Sequence, residues 1–155
     1  MPLSASIRHR LAFQHLTVFE LSDGVDPSRL RLQINPGKWS VRENIVHLAA
    51  YQGAFIKRLD RIAKEDGPLF ERYIGDNDPR FHEGLEWPDE KLKEIFLEER
   101  ALINVRLNEI NEDQLLRSAR HSKFGLLTVV DWTEFFLLHE AHHLFIIFQL
   151  VHTAS

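Results

Sequence analysis

Trp132, Phe136, His139, His143, Ile146 and Leu150 follow one another at spacings of four, three, four, three and four. That rhythm places all six side chains on one stripe of an α-helix, and a stripe of this kind faces a packed core. Two consecutive turns of it carry imidazole where Leu or Phe is expected. Two buried imidazoles leave four ring nitrogens to satisfy, and unpaired ones cost free energy. A metal ion taking one nitrogen from each ring, with the other N–H bonded elsewhere, meets that demand. The alternative is a pair of core histidines, each hydrogen-bonded on its own.

The same residues spell His139-Glu140-Ala141-His142-His143, the H-E-x-x-H string of zinc hydrolases. A protease of that kind takes its third ligand downstream. Here only His152 follows as a conventional ligand type, nine residues past His143, about 13 Å along the helix and facing another way. The extended motif needs Gly and His where this chain has Ile146 and Gln149. The protease reading is therefore set aside. His142, three residues from His139, competes with His143 for the ligand role, and the stripe favours His143. Glu140 is a candidate general base, although it points about 100° away from its neighbour His139.

The chain contains no cysteine, so any metal must be held by His, Asp or Glu. A net charge of −4 gives no electrostatic footprint for nucleic acid. The N-terminus lacks an apolar signal core. Glu140 and three histidines interrupt the apolar stretch from 135 to 151, which reads as too short and too polar for a membrane span. A cytoplasmic protein with one domain over residues 1–155 is the expectation.

Helical periodicity recurs in four long segments. The first runs from Ser4 to Leu21 and stops at Asp23-Gly24 and Asp26-Pro27. The second begins with the capping box Ser40/Glu43 and carries the seam Val41, Ile45, Leu48, Gln52, Phe55, Leu59 and Ile62. Residues 67–88 read as a long irregular connection with a helical turn at Leu69 to Tyr73. The third segment runs from Pro88 to Ile110 and buries Leu92, Ile95, Phe96, Leu102, Ile103 and Leu107. A short helix at Glu112 to Arg117 and a loop or extended excursion at His121 to Leu127 precede the fourth, capped by Thr128 and Asp131. Four long helices with one elongated connection indicate an all-α four-helix bundle.

Two ligands are too few for a stable site. His47 is the best upstream candidate, flanked by the seam and by Asn44, Tyr51 and Arg58; His15 and His82 are fallbacks, and His9 and His121 read as solvent-exposed. Tyr51, Gln52 and Arg58 are candidate pocket residues, set against plain bundle packing for the first two and a surface charge for Arg58.

The run Trp39-Ser40-Val41-Arg42-Glu43-Asn44-Ile45-Val46-His47-Leu48, followed by His139-x-x-x-His143 on the last helix, resembles the DinB superfamily, in particular its YfiT-like branch. The resemblance spans essentially the whole chain. It implies an up-down-down-up bundle, frequent homodimers, and a divalent metal held by His47, His139 and His143; imidazole ligands suit Zn, Ni or Fe. Several relatives are S-transferases or isomerases using a low-molecular-weight thiol as cosubstrate. The family ending Arg-Gly-Gln is replaced here by Leu144-Phe145-Ile146, which fits a second subgroup and weakens transfer of a substrate. The expected function is a metal-dependent thiol S-transferase or hydrolase acting on a small-molecule substrate. Its competitors are a noncatalytic metal-binding, stress-associated helical dimer and a bundle that has lost its metal.

Overall fold

In the computed structural model, which describes residues 3–154, helix α1 (Ala5–Phe13) starts at Ser4, whose hydroxyl accepts the Ile7 N–H. A 3-10 turn (Gln14–Leu16) links it to α2 (Thr17–Ser22). The sequence predicts one continuous helix here. The break is anchored on the last helix, because the Gln14 amide donates to the Leu137 carbonyl and to Glu140. A one-and-a-half-turn α3 (Pro27–Arg31) occupies the stretch read as turn, with Asp26 as its cap.

Helix α4 (Val41–Lys64) carries both hydrogen bonds of the Ser40/Glu43 capping box. After it come β1 (Leu69–Phe70), α5 (Pro79–Leu85), α6 (Asp89–Glu109) and α7 (Glu112–Leu115). The hairpin β2 (Ser118–His121) and β3 (Gly125–Thr128) leads into α8 (Val129–His152), which has a capping box of Thr128 and Asp131. Strand β1 pairs parallel to β2, and β2 pairs antiparallel to β3. Leu69 and Phe70 are therefore strand, where a helical turn was expected. Their backbone groups find partners across the chain at Arg120 and His121, a pairing no local pattern reveals.

Contacts along the helices fix their directions. Arg10 meets Glu134, Gln14 meets Leu137, and Arg29 meets Leu150, so the N-terminal helices run parallel to α8. Asn44 meets His143 while Phe55 stacks on Phe136, so α4 runs antiparallel to α8. Gln52 meets Phe96 and Asp60 meets Arg106, so α4 and α6 are parallel. Two adjacent parallel helices need a crossover, and the segment from β1 to α5 supplies it. The result is an up-down-down-up four-helix bundle.

The buried apolar side chains form two clusters. Along α6, Arg100 falls between Phe96 and Ile103; along α8, Glu140 falls between Leu137 and Leu144. Arg100 and Glu140 are fully buried and form an ion pair. Arg100 also donates to the Gln52 side chain and the Leu11 carbonyl. This network ties α1, α4, α6 and α8 together at one level. Arg100 is absent from the core predicted for α6, whereas Leu102, included there, is exposed.

Helix α8 is, by length and composition, apolar enough to cross a membrane, which corrects the expectation that it is too short and too polar. Its buried residues instead pack within the bundle, with Glu140 held in the polar network.

Candidate metal centre

Position 47 lies in the second turn of α4, and positions 139 and 143 lie one turn apart on α8. Because the two helices are antiparallel, the three imidazoles converge, each with a ligand nitrogen within 4.8 Å of the others. Nε2 of His47 and Nε2 of His139 are 3.1 Å apart. The Asn44 amide nitrogen donates to the Ser40 carbonyl at 2.8 Å, which leaves Oδ1 to accept from Nδ1–H of His143, also at 2.8 Å. That bond fixes the His143 tautomer and leaves its Nε2 lone pair free. Nδ1 of His47 and Nδ1 of His139 are buried without a hydrogen-bond partner among the described residues.

Burial pushes all three rings well below the ordinary imidazole pKa: His47 to about 4, His143 to about 3, and His139 to about 2. For His139 the neighbouring His143 and His47 add to the effect. All three are therefore neutral at physiological pH, the form that binds metal. Three neutral imidazoles, two of them with an unpartnered buried nitrogen, suit a borderline divalent ion with open positions.

Aromatic rings wall the centre. Trp39 packs 4.7 Å from His47 and 6.1 Å from His143 between ring centroids, and Tyr51 packs 4.0 Å from His139. Burial pushes the Tyr51 hydroxyl up to about 12, so it stays protonated. Gly75, in the crossover, presses its backbone on His47. A Cβ there would lie 2.6 Å from Nδ1 of His47 and 2.7 Å from the Trp39 ring. The histidines open into a cavity of about 630 Å³, with Tyr51 and Arg58 on its wall and His121 and His142 also lining it.

The sequence-predicted residues divide accordingly. His47, His139, His143, Tyr51 and Arg58 come together at the cavity. His142 is exposed at its edge, so the geometry favours His143. Gln52 does not line the cavity. It is buried on the other side of α4, donating to the Phe96 carbonyl and accepting from Arg100. Glu140 is likewise corrected: its carboxylate points into the bundle, bonded to Arg100 and Gln14, and is not available as a base. His15 is buried against Phe96, and exposed His82 contacts the Asp76 carbonyl. The positioning role of Asn44 and the close approach of Gly75 escaped the sequence reading. The i, i+3 spacing from Asn44 to His47 was the available signal for the first.

A DinB superfamily profile matches residues 12–147. The chain belongs to the DinB superfamily. Its fold is similar to that of YfiT from Bacillus subtilis, described as a probable metal-dependent hydrolase with an unusual four-helix bundle topology. The TM-score is 0.79 at 18% sequence identity, covering 94% of this chain and 83% of that one. No curated protein matches the chain in sequence.

Proposed function

We propose that this DinB-superfamily protein is a metal-dependent enzyme acting on a small molecule, with His47, His139 and His143 as the protein ligands. The observation that carries the reading is the convergence of three neutral imidazoles, two with orphaned buried nitrogens, at the inner end of a cavity. A divalent ion bound there supplies Lewis acidity, lowering the pKa of a water or of a cosubstrate thiol.

The chain's own contribution is to hold the rings neutral, to orient His143 through Asn44, and to line the approach with aromatic surface. Among the described residues lining the cavity, Asp76 is the one carboxylate, and Glu140 is committed to Arg100. The other groups on the wall able to take a proton are the imidazoles of His121 and His142; a nucleophile that ionises readily needs them least, and a free thiol (pKa about 8.5) ionises far more readily than water. Thiol S-transfer is therefore the first reading and hydrolysis the second. We place the protein in the cytoplasm, where thiols are kept reduced. The exposed apolar residues Leu138, Phe145 and Phe148 along α8 support a homodimer, which light scattering would measure.

The deciding experiment uses protein purified without a histidine tag. Elemental analysis should find about one divalent ion per chain, lost in His139→Ala. Conjugation of monobromobimane to a panel of low-molecular-weight thiols should then proceed only with metal-loaded protein. No stoichiometric metal would sink the metal reading, and ester hydrolysis without thiol conjugation would select the hydrolase.

A further inference from the structure

We propose that Arg58 is the anion-recognition residue of the histidine cavity, selecting substrates in which an apolar body carries a carboxylate or phosphonate-like oxyanion. The inference rests on the reading of this cavity as the substrate site. Arg58 follows His47 by eleven residues on α4, three turns plus about 20°, so both share one face with their backbones about 16 Å apart. Tyr51 lies on that face between them.

The guanidinium is half-buried and lies over three rings, 5.0 Å from Trp132, 5.3 Å from Phe70 and 6.0 Å from Tyr51. It donates to the Glu71 carbonyl at 3.2 Å and lies within reach of the Tyr51 hydroxyl. Seven arginines pair with carboxylates, whereas among the described residues Arg58, like its cavity neighbour Arg72, pairs with none. Most of its forked donors are therefore available to a ligand, stacked in a geometry suited to a planar or tetrahedral oxyanion.

The surroundings reinforce this. Arg72 and Lys123 also line the cavity, without ion pairs among the described residues, against the single lining carboxylate of Asp76. In a chain with 23 acidic and 19 basic residues, such a wall runs against the overall balance. Clefts lined by one sign of charge focus the field and draw in the opposite ion. The aromatic wall between Arg58 and the histidines then holds the apolar body, which leaves the reacting group at the imidazoles.

The test titrates the full chain, metal-free and metal-loaded, with phenylphosphonate, benzoate and the neutral benzamide. Binding is read from the fluorescence of Trp132 and Trp39 and confirmed by calorimetry. Both anions should bind metal-free protein more tightly than benzamide, and the tighter one names the preferred oxyanion. Arg58→Gln should weaken anion binding about tenfold to a hundredfold while leaving benzamide unchanged. Arg58→Lys, which keeps the charge and loses the fork, should fall between and guards against a folding defect.

Anion affinity within twofold of wild type in Arg58→Gln, or anion binding confined to metal-loaded protein, would overturn the proposal. So would benzamide binding as tightly as the anions. Arg58-dependent anion binding by a protein that takes up no metal would instead overturn the metal reading and leave this one standing.

Discussion

Oδ1 of Asn44 accepts Nδ1–H of His143 at 2.8 Å, and the Asn44 amide nitrogen is in turn held by the Ser40 carbonyl at the start of α4. The helix cap thus sets the tautomer of an imidazole ninety-nine residues away. Asn44→Ala removes that orientation without touching a ligand. Metal affinity should fall about 10- to 100-fold, measured by chelator competition, with the helical content intact.

The ligand assignment separates neighbours on α8. Alanine at His47, His139 or His143 should abolish stoichiometric metal, whereas His142→Ala, at an exposed ring, should retain it. Loss in His142→Ala with metal retained in His143→Ala would show that the seam residue is not the ligand.

Arg100 and Glu140 form a fully buried pair whose role is structural. Burial pushes the Glu140 carboxyl upward, and Arg100 and Gln14 pull it back. Arg100→Met strands Glu140 and should destabilise the fold by about 3–5 kcal/mol in denaturant unfolding. Replacing both members by Leu should recover much of that loss. Metal bound per folded chain should not change in either variant.

Acid should destabilise the metal-free protein. His15 is held at about 4 by burial and by the Arg100 charge, below its ordinary value of 6.5, and the three cavity histidines lie at about 4 or lower. Below about pH 6.5 the unfolded chain takes up protons that the folded chain refuses. Stability is therefore full above that pH and falls as pH drops toward 4 and below. His15→Leu should flatten the profile between pH 6.5 and 4 in thermal melts, and an unchanged slope would contradict the assignment.

Gly75→Ala places a methyl against the His47 and Trp39 rings. The overlap should cost about 1–3 kcal/mol, or push the crossover outward and weaken metal binding. Gly53→Ala, whose new Cβ meets only the flexible end of Arg80, is the milder control.

Local signals in the chain had clear readings. The capping boxes at Ser40 and Thr128 placed two helix starts, because cap chemistry acts within four residues. The stripe through His139 and His143 marked a polar interruption of a core helix, because periodicity reports which face is buried. Residues 67–88 were harder. The strand Leu69–Phe70 owes its existence to β2, and the α5 helix, missed inside that connection, packs on α4. Arg100 is missing from the predicted core for a related reason: its partners come from α1, α4 and α8, which no pattern within α6 reveals.

By itself the sequence determined a four-helix bundle with two imidazoles in its last core seam, because burial periodicity and caps are encoded within single helices. Packing between helices settles that Asn44 orients His143, that Glu140 serves Arg100 rather than a substrate, and that Arg58 faces the cavity with no ion pair among the described residues. The first two join residues tens of positions apart, and the docking of α4 and of α6 against α8 brings them within hydrogen-bond range. Helical spacing tells which residues share a face; packing decides what that face meets.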